Sequence, residues 1–237
     1  MDYVLTLLSF GSEGWGDQIL QGMALTIALA LATLPLGLLQ GFLLALAKHS
    51  NDPNLNRAAD IYTTIFRGLP ELMTLFLVYY GVQIGLQSLI GLFHEDFYFE
   101  INSFVAGMVA LGVVFSSYAS EVFLSAFKGI PQGQYEGGHA LGLSNYQTMR
   151  LIIFPQLIRL ALPGLSNLWL VLLKDTALVS VIGLSDLLRM SGIAARVSKE
   201  PFLFYGLACA LYLALSLISS VGLVRIESWA RRGEAKR

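Results

Sequence analysis

Residues 19–47 read ILQGMALTIALALATLPLGLLQGFLLALA, 29 positions without one Asp, Glu, Lys or Arg. As a helix this stretch is about 43 Å long, whereas the hydrocarbon core of a bilayer is about 30 Å thick. In lipid every backbone N–H and C=O must be paired within the protein, and a helix does this inside its own segment. The stretch therefore reads as a transmembrane helix, and the chain on either side of it as part of a membrane protein.

Composition agrees. Of 237 residues, 55% are hydrophobic and 13% charged, with a mean hydropathy of +0.65. A soluble domain carries about 25% charged residues. So little charge cannot coat a water-soluble globule, and lipid is the natural solvent for this surface. A net charge of −1 supplies no basic field for nucleic acid. The lone cysteine, Cys209, excludes an intrachain disulfide and a cysteine-cluster metal site. It reads as a small apolar residue of a membrane helix. No Lys or Arg precedes Lys48, while Asp2, Glu13 and Asp17 do, so the start does not read as a cleavable signal peptide. The first ten residues are apolar but too few to span. They are expected to form an interfacial segment before the loop Gly11–Gly16.

Four further stretches have spanning length. The second, 61–92, has Arg67 and Glu71 near its start. The third, 103–127, is interrupted by Ser116, Ser117 and Glu121. The fourth, 152–173, contains Pro155, Arg159 and Pro163, and the prolines are expected to kink it. The fifth, 202–224, precedes a basic tail from Arg225. The expectation is one all-α membrane domain over 1–237 with five transmembrane helices. Lys and Arg concentrate on the cytoplasmic side of membrane proteins. Lys48 and Arg57, Lys128 and Arg150, and the tail Arg225, Arg231, Arg232, Lys236 and Arg237 mark cytoplasmic segments. The loop 93–102 holds His94, Glu95, Asp96 and Glu100 without Lys or Arg and reads as external. The N-terminus is then periplasmic and the C-terminus cytoplasmic. Residues 174–201 fall outside yet carry Lys174, Arg189, Arg196 and Lys199, partly offset by Asp175, Asp186 and Glu200. Their apolar part, 177–188, is expected to form a re-entrant or interfacial helix.

The cytoplasmic loop 128–151 contains Glu136-Gly137-Gly138-His139-Ala140-Leu141-Gly142, with Ile152 and Pro155 farther on. A short surface helix is expected over 134–143. Glu136 would lie near its positive end and Gly142 would terminate it in a left-handed conformation. Ala140, Leu141 and Leu143 give it an apolar edge suited to another protein's groove. The same pattern also suits any amphipathic loop helix.

The spacing resembles the EAA motif of permeases of ATP-binding-cassette importers, a Glu-Ala-Ala, then Gly, then Ile and Leu-Pro at fixed distances. Glu136, Gly142, Ile152 and Pro155 match in place, whereas Gly137 and Gly138 replace the alanines and Phe154 the leucine. Each Gly weakens a helix by about 1 kcal/mol relative to Ala. Phe66-Arg67-Gly68-Leu69-Pro70-Glu71 with Tyr79-Tyr80-Gly81, the run from Pro163 to Trp169, that from Leu173 to Ser180, and Lys199-Glu200-Pro201-Phe202 resemble polar amino acid permeases. The nearest subgroup handles histidine, lysine, arginine, ornithine and opines. The resemblance implies a type I importer fold in the bacterial inner membrane. Its partners would be a second permease (a copy or a paralogue), two ATPases holding ATP and magnesium, and a periplasmic substrate-binding protein. The chain itself would bind no cofactor. Residues 136–138 and 140–143 would couple to the ATPase, and an amino acid would be the solute.

Charges inside a membrane are expensive and must face the bundle interior, water or a partner. Glu71, Glu121 and Asp175 either pair with a cationic substrate or form internal pairs, such as Glu71 with Arg67. Asn167 and Trp169 either line the pathway or serve the bundle. Gly37 and Gly41 have the small-xxx-small spacing of close helix packing. His49, His94 and His139 are too scattered for a metal site or triad, and no phosphate-binding Gly-rich loop with its Lys is present. A secondary transporter would be expected to show a paired repeat, and a membrane enzyme a convergent polar constellation. Neither is visible.

Overall fold

The computed structural model describes residues 2–11, 13–91 and 101–230. A short helix α1 (Asp2–Leu8) precedes α2 (Gly16–His49), which runs unbroken through Pro35. Asp52 caps α3 (Pro53–Gly68), accepting a hydrogen bond from the Asn54 amide at 2.8 Å. The chain then breaks at Leu69. A residue before proline is pushed out of the helical region, and Leu69 is extended at φ −92°, ψ 142°. Helix resumes as α4 (Glu71–Phe76), passes a π-helical turn (Leu77–Gly81) and continues as α5 (Val82–Gly91). The span expected over 61–92 is therefore corrected. Its first residues belong to α3, and the membrane-length segment is Glu71–Ile90.

Asn102 caps α6 (Ser103–Gly129). Next come α7 (Gln132–Ala140), α8 (Asn145–Thr148), a π-helical turn (Met149–Ile153), and α9 (Phe154–Asp175), which runs on as a 3₁₀ helix (Thr176–Ile182). The π turn sits directly before Pro155, whose ring nitrogen has no proton for the preceding turn. Helix α10 (Leu187–Ser198) and α11 (Pro201–Ala230) complete the described chain. The helix expected over 177–188 is replaced by the 3₁₀ turn, a left-handed Gly183 and a cap at Asp186. The five membrane-length helical segments are Gly16–His49, Glu71–Ile90, Ser103–Gly129, Asn145–Ile182 and Pro201–Ala230. Most of the loop 93–102, and Arg231, Arg232, Lys236 and Arg237, lie outside the described residues.

Helix α6 is the axis of the bundle, with α2 laid along it and α9 on another side. Gly37 and Gly41 permit the approach of α2. A Cβ on Gly37 would come 2.5 Å from the Phe115 ring, and one on Gly41 2.8 Å from the Ala119 Cβ. Phe42 closes the contact edge-on to Phe123 and Phe154, with ring centroids 5.5 and 5.7 Å away. Several buried hydroxyls are satisfied within their own helices. Thr33 donates to the Leu29 carbonyl and Ser117 to that of Val114. The outward faces of α2 and α11 carry exposed Leu39, Leu43, Leu213, Ile218 and Val221, a surface suited to lipid.

Candidate functional site

Helix α7 begins two residues earlier than expected, directly after Pro131, so Glu136 is its fifth residue rather than lying at its positive end. Glu136, Gly137 and Ala140 are exposed, Leu141 is 78% exposed, and Leu143 is half-buried. Gly142 ends the helix at φ +77°. Its amide donates to the His139 carbonyl at 2.9 Å and the Leu143 amide to that of Gly138 at 3.1 Å, the paired bonds of a Schellman motif. Ser144 and Gln147 then form a reciprocal capping box that starts α8. Two tight termini thus stand back to back, and the segment has little freedom to fray.

The inner side of α7 is fastened to the bundle. Tyr135 packs against the main core cluster, and Gln156 of α9 donates to the Gln134 side chain at 3.0 Å. The two glycines of the loop are not equivalent. A Cβ at Gly137 meets nothing within 4 Å, whereas one at Gly138 would lie 2.6 Å from Thr148 Cγ2.

The intramembrane acids divide into two groups. Glu121 on α6 accepts from Lys48 Nζ at 2.6 Å and lies 3.1 Å from Arg67 Nη1, while Lys48 also reaches Asp60 at 3.1 Å. The pairing of Glu71 with Arg67 is therefore corrected. The break at Leu69 separates them, and Arg67 turns to Glu121. Tyr62 of α3 ties the same region, accepting from Gln40 at 2.8 Å and sharing a hydrogen bond with Ser116 at 3.1 Å. Glu121 also borders a groove of about 430 Å³ between α6 and α9, lined by Ser125, Leu160 and Gly164. Helix α4, which begins at Glu71, packs against the 3₁₀ helix that follows Asp175 at the far end of α9. Asn167 is exposed and Trp169 half-buried on α9. Glu71 and Asp175 thus stand at the ends of packed elements, and Glu121 stands apart with its own cations.

Lys48, which marks a cytoplasmic segment in the sequence, is also an internal partner. Its place at the end of a charge-free run was the available signal, but Glu121 is 73 residues away. Asp186, counted above only as a charge offsetting its basic neighbours, is fully buried. Its carboxylate caps α10, accepting from the Arg189 amide at 3.0 Å. Burial pushes that carboxyl up to about 6, against the opposing pull of the Arg189 and Leu188 amides. The neighbouring Leu187 amide donates to Thr26 on α2. Gly22 makes room beside them, since a Cβ there would sit 2.8 Å from the Asp186 carbonyl oxygen.

Residues 37–228 match the family of binding-protein-dependent transport system inner membrane components. The chain belongs to this family. The permease is 40% identical to the nopaline transport system permease protein of Agrobacterium fabrum, covering 97% of this chain and 98% of that one. It is 40% identical to the arginine ABC transporter permease protein of Haemophilus influenzae, with 86% and 89% covered. Identity to the histidine/lysine/arginine/ornithine permease protein of Salmonella typhimurium is 37%, with 90% and 93% covered. The permease superposes on a chain of the crystal structure of an amino acid ABC transporter with histidines at TM-score 0.77 and 31% identity, covering 90% and 94%. The inward-facing methionine transporter MetNI shares the fold at TM-score 0.75 and 16% identity, covering 94% of this chain and all of that one. The permease has the type I importer fold and is a multi-pass inner-membrane protein.

Proposed function

We propose that this permease forms half of the membrane pathway of an ATP-driven importer for cationic amino acids or opines. A second permease, identical or similar, supplies the other half. A periplasmic binding protein delivers the solute, and two cytoplasmic ATPases, with ATP and magnesium, supply the energy. The N-terminus is periplasmic and the C-terminus cytoplasmic. The observation that carries the proposal is α7, which stands on the bundle by Tyr135 and Gly138 while offering Glu136 and Leu141 outward. A helix with one fastened side and one free apolar end is built to be seated in a neighbour's groove. Relatives named for arginine, nopaline and histidine transport support the solute class. So do Glu71 and Asp175, acids at the ends of packed elements in the membrane region, where a cationic side chain would be stabilised.

The test is purification of the complex from membranes. An ATPase should come with the permease, and arginine or an opine with its binding protein should stimulate ATP hydrolysis. Glu136→Lys should remain in the membrane and lose the ATPase. Activity of the chain alone, driven by an ion gradient, would overturn the proposal.

A further inference from the structure

Gly137 and Gly138 stand where the family pattern has two alanines, and only one of the two replacements has a packing reason. A Cβ at Gly138 would lie 2.6 Å from Thr148 Cγ2, 2.7 Å from its Oγ1 and 3.1 Å from its Cβ. Rotating the threonine does not relieve the third contact, because that atom is fixed to the backbone of α8. Thr148 is 2% exposed, and its hydroxyl has no hydrogen-bond partner among the described residues. Within the described chain it meets α7 by packing rather than by a hydrogen bond. Three residues before Gly138, on the same face of α7, Tyr135 packs against the main core cluster, to which Ile153 of the π turn and Leu157 of α9 belong, both fully buried. The Tyr135 hydroxyl is likewise buried without a partner among the described residues. Helix α8 passes through the π turn into α9 without leaving helical structure, so Thr148 is rigidly part of a membrane-length segment.

We infer that Tyr135 and the Gly138–Thr148 contact are the positioning residues through which a push on α7 reaches α9. The ring supplies a lever in the core, and the glycine lets the α7 backbone bear directly on α8. The inference rests on the proposed docking of α7 to an ATPase. It concerns the opposite side of the helix from the one that would be docked.

The experiment measures solute transported per ATP hydrolysed by the assembled complex in proteoliposomes. Gly138→Ala should keep the ATPase bound and lower that ratio by about threefold or more, the scale of coupling between residues in contact. Adding Thr148→Ala, which removes the two closest atoms, Cγ2 and Oγ1, and leaves only the 3.1 Å contact with Cβ, should restore most of it. Tyr135→Phe should match the wild type because the hydroxyl has no partner among the described residues, whereas Tyr135→Ala should lose coupling with the ATPase still bound. Gly133→Ala, in the same helix with nothing within 4 Å of its new Cβ, should leave the ratio unchanged. A wild-type ratio in Gly138→Ala, or no rescue by Thr148→Ala, would overturn the inference. If Gly138→Ala does not assemble, the two Tyr135 variants decide, and equal ratios for Phe and Ala would overturn it. A wild-type permease that brings down no ATPase would instead overturn the docking reading, and the inference with it.

Discussion

Gly41 and Asp186 show how single residues set the packing of this bundle. Gly41 is a glycine because the Ala119 Cβ and the Ser116 carbonyl of α6 occupy the space a side chain would take, 2.8 and 3.0 Å from its Cβ position. Gly41→Val should destabilise the permease by about 1–3 kcal/mol, the usual cost of overpacking, read as a lowered midpoint of thermal unfolding in detergent. An unchanged midpoint would mean α2 and α6 are looser than they stand here. Asp186 gives a pH dependence. Its folded carboxyl titrates at about 6 against an ordinary 3.8, so the fold favours the protonated form. Its contribution is full below about pH 4 and is lost as pH rises through about 6, worth about 3 kcal/mol at most. Asp186→Asn keeps an oxygen to cap α10 and removes the ionisation. The variant should show a flatter unfolding midpoint between pH 4 and 7 than the wild type, and parallel profiles would refute this origin.

At the scale of elements, α3 is held to α2 and α6 by charge rather than by a continuous apolar face. Lys48 is 4% exposed in its side chain and neutralises both Asp60 and Glu121, while Arg67 supports Glu121 from the end of α3. Removing Lys48 takes away the cation on Asp60 and leaves Glu121 with Arg67 alone. Breaking a fully buried pair costs about 3–5 kcal/mol, but Glu121 is 34% exposed and Asp60 58%. Solvent screening brings the expected cost of Lys48→Met to about 1–2 kcal/mol. Hydrogen exchange should show α3 amides losing protection while those of α9 keep theirs. Uniform loss across the bundle would mean that Lys48 holds the whole fold rather than this helix.

For the whole molecule, alternation of the five spans places α7 and the Glu13 loop on opposite sides of the bilayer. In a Cys209→Ser background, Gly133→Cys should react with a membrane-impermeant maleimide only from the cytoplasmic side, and Glu13→Cys only from the periplasm. Reaction of both from one side would remove the proposed orientation. The wild-type thiol, exposed on the outer face of α11, should resist the reagent from either side because lipid covers it.

The five spans were legible in the chain because the cost of unpaired backbone in lipid depends on composition and length alone. The left-handed Gly142 was legible for a similar reason, since local backbone geometry selects glycine without help from distant residues. The split at Leu69-Pro70 was written locally too, but continuous hydropathy across 61–92 hid it. Which cation meets Glu121, why Gly138 differs from Gly137, and that Asp186 is buried were decided by tertiary structure only. Each depends on a neighbour brought close by helix packing, Lys48 from 73 positions away, Thr148 across a turn, Thr26 from another span. No local propensity encodes such distances.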